Sequence, residues 1–155
     1  MARHIRGRFA SDVLRGIDGC APGPTNYRKT RRRLIALLAW MRAESGNEIN
    51  DGTHPGGGAA FNPLGSTYPY DYPTYNEVGV RNYPEFAIGV LCTLQTLFLP
   101  DHKYEPIIAA LQAARPHDVA VAVAESEWGT GMGVLNTISY VKANYRQEFL
   151  RQVGS

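Results

Sequence analysis

The sequence predicts a mainly α fold of the α+β kind, and three observations predict it. Apolar residues recur at three- and four-residue spacing over about 27–44, 84–99 and 134–152, the signature of amphipathic helices. Between the first two, residues 45–80 carry no helical period. Only Val78-Gly79-Val80-Arg81-Asn82-Tyr83 alternates like a short strand, half of a small β-hairpin region. A chain of 155 residues, 44% hydrophobic and 19% charged, has a one-domain length and enough apolar material for a core.

Taken in order, Phe9 to Ile17 reads as a short helix with Ser11 as a cap, ended at Gly19. Cys20 to Asn26, with Pro22, Gly23 and Pro24, is a turn-rich connector. Residues 1–26 together read as a basic N-terminal arm that adds little to the core, leaving 27–155 as the domain. Thr25 or Asn26 caps the helix over 27–44. Arginines crowd its first turns, the end where the macrodipole disfavours them. Gly56-Gly57-Gly58 and the Tyr/Pro-rich run Tyr68 to Tyr75 make a long loop, of the sort that is usually functional. Pro84 fits the first turn of the next helix. Phe86, Val90, Leu94 and Leu97, flanked by Ala87, Leu91 and Phe98, mark that helix as the central buried one. Two short helices follow, Glu105–Ala113 and Asp118–Ser126. Then come a Gly-rich loop, Glu127 to Gly133, and a last helix over 134–152.

Charge and cysteine usage bound the function. Net charge is +2, but residues 1–33 hold nine Arg/Lys against Asp12 and Asp18, and the remainder holds seven basic against twelve acidic residues. That asymmetry suits a polyanion or an acidic partner protein, or simply a solvated basic arm. Cys20 and Cys92 form no disulfide or metal framework. His4, His54, His102 and His117 lack zinc spacing, so neither metal nor cofactor is expected. The start of the chain carries no apolar leader. Leu34 to Met41 is too short to span a bilayer, which predicts a protein soluble when made, with no membrane span.

One residue stands out chemically. Glu44 continues the apolar stripe of Leu37, Trp40 and Met41, and Gly46 can close the helix just beyond it. A carboxyl placed there meets the negative end of the helix dipole and loses water to Trp40. Both effects favour the protonated form that a general acid requires. The competing reading is a glutamate that bends out to solvent at a frayed helix end.

The order Glu44-Ser45-Gly46, then Asn62-Pro63-Leu64-Gly65-Ser66, then Val80 to Phe86 resembles the lysozyme-like superfamily: soluble lytic transglycosylases, goose-type lysozymes and bacterial glucosaminidase domains. Phe61-Asn62-Pro63-Leu64, Tyr75 to Tyr83 and Trp128-Gly129-Thr130-Gly131 also look like lysozyme-like segments in tail and tape-measure proteins of actinobacterial phages. The resemblance covers about residues 29–135. It implies a lysozyme-like helical domain in which Glu44 is the catalytic acid and the substrate is a peptidoglycan glycan strand. Asn62, Ser66, Asn76 and Tyr83 would hold acetamido and hydroxyl groups, and the Tyr68–Tyr75 run, Tyr75 included, would stack on sugars. It further implies a virion-borne protein, made in the host cytoplasm, whose basic first segment meets other virion proteins. Two departures stand against it. No Gly-Leu-Met-Gln-type strand follows Ser66. No second catalytic carboxylate is marked either, since Glu48, Asp51, Asp71 and Glu77 all fall on loops. The alternative is a structural tail or capsid-associated protein that keeps such a fold with little or no activity. A nucleic-acid-binding role stands further behind, because no helix-turn-helix, zinc or RNP signature accompanies the basic segment.

Overall fold

The computed structural model describes residues 5–19, 27–45, 58–101, 103–128 and 132–151. Among them are seven helices: α1 (Arg6–Ile17), α2 (Tyr27–Ser45), α3 (Phe86–Leu97), α4 (Glu105–Gln112), α5 (Pro116–Glu125), α6 (Gly133–Ala143) and α7 (Tyr145–Leu150). The class is mainly α. The Thr25/Asn26 cap, the Gly46 closure, Gly56 and Gly57, Cys20, three of the four histidines, Glu48, Asp51 and Gly129 to Gly131 lie outside the described residues.

The core is built around α2. Every side chain from Leu34 to Met41 is buried, so this helix is apolar on all sides through its middle. It packs against α1, α4, α5, α6 and α7. The central buried helix is therefore α2 and not α3, whose Leu91 and Phe98 flank stand about half exposed. α3 also starts later than its sequence suggests. Glu85 is an extended N-cap and Pro84 precedes it. The expected last helix breaks at Asn144 into α6 and α7.

The N-terminal arm is corrected outright for its helical part. Phe9, Ala10, Val13, Leu14 and Ile17 of α1 are buried in the same core cluster as α2. Phe9 meets Phe86 of α3 edge to face at 5.5 Å between centroids. Ser11 is no cap, since its hydroxyl donates back to the Gly7 carbonyl at 2.7 Å. Several arginines of the basic segment are engaged internally. Arg6 is wholly buried and its Nη1 donates to buried Glu148 on α7 at 3.2 Å. Arg33 grips Asp18 with both terminal nitrogens, at 2.7 and 2.8 Å. Arg31 lies over the Tyr145 ring. Burial pulls the Arg6 guanidinium down to about 10, against the pull of Glu148, so it stays charged at neutral pH.

The expected hairpin is not formed among the described residues. Residues 73–82 make a turn closed by one antiparallel bridge, Thr74 to Arg81, with Tyr75 N donating to Val80 O and Asn82 N to Pro73 O. A long irregular segment must satisfy its backbone polar groups by other means. Here side chains do it. Asn62 Nδ2 donates to the carbonyls of Ser66 and Arg81, and its Oδ1 accepts from Ser66 N, all at 2.8 Å. Arg81 reaches the carbonyls of Thr67 and Tyr72, and Asn82 Oδ1 accepts from Ala60 N. The segment is then pressed onto α3. A side chain at Gly89 would strike the Phe61 carbonyl, which is why that helix position has none.

Candidate active site

The C-terminal end of α2 opens onto a cleft of about 220 Å³. Its walls come from six places along the chain. Glu44 stands at the end of α2, Gly65, Ser66 and Thr67 follow the Asn62 turn, and Asn76, Val78 and Val80 belong to the 73–82 turn. Thr96, Tyr104, Glu127 and Trp128 complete the lining.

Glu44 is placed by helix register. Trp40 lies one turn back on the same face, fully buried, and its indole N–H donates to Glu44 Oε1 at 3.3 Å. Trp128 packs edge to face on Trp40 at 4.9 Å and on Tyr104 at 5.0 Å, and its indole N–H donates to the Leu64 carbonyl. Three rings thus form a fixed floor that ties α2, the turn at Leu64 and the segment after α5 together. Gly65 sits at φ +70°, in the left-handed region, and a Cβ built on it would lie 3.7 Å from Glu44 Oε2. The positive φ of the turn favours glycine there, and a Cβ would make only an ordinary contact with the carboxyl.

Of the six sequence-predicted site residues, the cleft gathers Glu44, Ser66 and Asn76. Ser66 contributes floor, because its hydroxyl is buried and turned to Thr93 Oγ1 at 3.4 Å. Asn76 is an exposed rim residue whose Oδ1 accepts from Val80 N. Asn62 and Tyr83 are not in the lining. Asn62 is the buried clasp of its turn, and Tyr83 donates its hydroxyl to the Tyr68 carbonyl at 2.7 Å. Burial holds the Tyr83 phenol above its usual range. Tyr75 is exposed beside Asn76 but outside the cleft, and Tyr72 packs against Tyr83.

Tyr104, Thr96, Glu127 and Trp128 join the cleft from outside the six predicted site residues, with Glu125 or Glu127 beside Trp128 read from the sequence only as the next candidate acid after Glu44. A Trp after Glu127 in a Gly-rich stretch was the available signal for two of them. At the mouth, Lys103 Nζ pairs with Glu127 at 2.9 Å and with Asp101 at 3.4 Å. The Glu127 hydrogen bond raises the ammonium above its ordinary value, and burial raises the Tyr104 phenol. Among the described residues no three of His, Cys, Asp and Glu come together as metal ligands.

A larger cavity, about 450 Å³, lies between α3 and α4, lined by Leu97, Phe98, Leu99, Ile108 and Ala109 with Glu105 and Gln112. It is mostly apolar, with Glu105 and Gln112 as its polar lining side chains. The smaller cleft gathers two acids, hydroxyls and aromatic side chains, which makes it the candidate site. Among the described residues no helix is long and apolar enough to cross a membrane. The chain matches no protein-family model, no curated protein and no solved structure.

Proposed function

We propose that this chain cleaves the glycosidic bond between amino sugars of peptidoglycan, as a glycosidase or lytic transglycosylase borne on a phage particle, with Glu44 as the general acid. The observation that carries the reading is the setting of Glu44. It is a half-buried carboxyl at a helix C-terminus, oriented by an indole N–H and opening onto a cleft. That is the placement required to hand a proton to a leaving oxygen. The walls suit a sugar, with the Thr67 and Asn76 side chains for hydroxyl and acetamido groups and the rings of Tyr104 and Trp128 for C–H faces. A volume near 220 Å³ is below the ~300–1,000 Å³ of pockets that enclose whole drug-sized ligands, and fits one unit of a longer strand. The phage setting draws its support from the sequence resemblance of residues 29–135.

Clearing of purified peptidoglycan by the full chain, with analysis of the product ends, tests the reading. Turnover lost in Glu44→Gln supports it, and a wild-type chain with no turnover sinks it. A structural role in an assembly is the second reading, favoured by the apolar groove beside Phe98, 52% exposed. It predicts no turnover, and loss of a partner contact on Phe98→Ser.

A further inference from the structure

We infer that Glu127 is the second catalytic carboxylate of this cleft, the base that takes a proton from an attacking water, so that the bond is broken by hydrolysis. The inference rests on Glu44 being the acid. Among the described residues the acids that line the cleft are these two. Asp71 and Glu77, which the sequence offered for the part, lie on exposed turn positions outside it.

The two carboxyls arrive from different elements but share one support. Glu44 is held by the indole of Trp40, and Glu127 is bonded in sequence to Trp128. The two indoles pack edge to face at 4.9 Å, and Trp128 is further locked on the Leu64 carbonyl and the Tyr104 ring. A packed ring pair therefore brings the chain at both acids to one cleft, and the 2.9 Å pair with Lys103 holds the Glu127 carboxyl at its edge.

Their surroundings are opposite, and opposite surroundings give opposite roles. Glu44 is sheltered. The Glu127 side chain is 74% exposed and paired with Lys103 at 2.9 Å. A carboxyl group open to solvent beside an ammonium is in contact with water, which suits a base. As the C–O bond breaks, Glu44 gives its proton to the glycosidic oxygen and the leaving sugar departs as an alcohol. The water oxygen bonds to the anomeric carbon and its proton passes to Glu127. Glu127 then releases that proton to solvent and Glu44 takes one up. One water is consumed and both groups are reset. Lys103 is a positioning residue in this scheme.

The test uses the full chain on purified peptidoglycan, with wild type, Glu44→Gln, Glu127→Ala, Glu127→Gln and Lys103→Met. Reducing ends of inverted anomeric configuration are expected from wild type. A loss of about 100-fold or more in kcat with little change in KM is expected in both Glu127 variants. Added formate should restore part of the Glu127→Ala rate, which a merely structural residue would not show. Because Glu127 is exposed, melting should be unchanged, and the isosteric Gln variant decides if Ala unfolds. Anhydro ends, retained configuration, or Glu127 variants within ten-fold of wild type while Glu44→Gln is dead overturn this inference and leave the proposed acid standing. An inactive wild type removes both.

Discussion

Glu44 reaches the cleft because the α2 register puts it four residues beyond Trp40, close enough for the indole N–H to hold Oε1. Glu44→Gln keeps an oxygen for that bond and keeps the volume, but it has no proton to give. Turnover should fall by about 100-fold or more, the range of a lost general acid, while the melting temperature stays within a degree or two of wild type. Wild-type rates in the variant would remove Glu44 from the reaction. Asn62 invites the opposite prediction. Its three 2.8 Å hydrogen bonds all go to backbone groups of Ser66 and Arg81, two of them buried. Asn62→Ala would take the amide from Ser66 N and Arg81 O, at about 1–3 kcal/mol each where water cannot replace it, while Ser66 O keeps Arg81 N as its donor at 3.0 Å. Thermal or urea unfolding should register the loss, and sugar affinity should fall only because the turn has loosened. If Asn62→Ala weakens binding at unchanged stability, Asn62 is a ligand after all.

At the scale of elements, the helices were legible and the segment between them was not. Periodicity located all the helical stretches, and α2 runs to within one residue of its expected end, because a 3.6-residue stripe is written in one short window. Three things escaped that window. The break at Asn144 hides in a continuous apolar pattern. The α1 stripe of Phe9, Val13, Leu14 and Ile17 reads as a helix, but it is short and surrounded by arginines, so its place in the core did not show. The segment 58–83 has no period at all, since its order comes from side-chain-to-backbone bonds between residues about twenty apart. The site shows the same division. Glu44 follows from one helix, while Glu127, Tyr104 and Thr96 join it only through tertiary packing. The Tyr83 clasp makes that segment sensitive to alkali. Its phenol is held above the ordinary range by burial, so above the usual tyrosine value near ~10 the unfolded chain loses a proton that the folded one keeps. Stability is then full below that pH and falls as pH rises through it. Tyr83→Phe should start lower, lacking the bond to Tyr68 O, and decline less steeply between about pH 9 and 11. Chemical denaturation across that range checks it, and parallel curves would show that Tyr83 is not responsible.

The whole molecule is closed by bringing its first and last helices together. Arg6 N donates to the Arg151 carbonyl at 3.0 Å, and Arg6 and Glu148, both wholly buried, pair across α1 and α7. Arg42 and Arg151 reach the same carboxylate from partly exposed positions, at 3.0 and 3.4 Å. This arrangement sets two predictions of different size. Glu148→Gln takes the buried countercharge from the Arg6 guanidinium, which keeps the Leu38 carbonyl at 3.5 Å, and removing one partner of a buried pair costs about 3–5 kcal/mol. Because Arg42 and Arg151 can turn to solvent, the charge left without its buried counterion is Arg6. Arg6→Met combined with Glu148→Leu should therefore recover most of the loss. A double variant as unstable as Glu148→Gln would locate the penalty elsewhere. Removing residues 1–19 is the larger change. Phe9, Val13, Leu14 and Ile17 each contribute about 1.5–3 kcal/mol on burial, and the surfaces of α2, α3 and α7 beneath them would open to water. The effect is on the scale of an entire domain's stability, about 5–15 kcal/mol. The truncated chain should show no cooperative melting transition by calorimetry and should bind a hydrophobic dye. A truncated chain that still melts cooperatively would return α1 to the role of a dispensable arm.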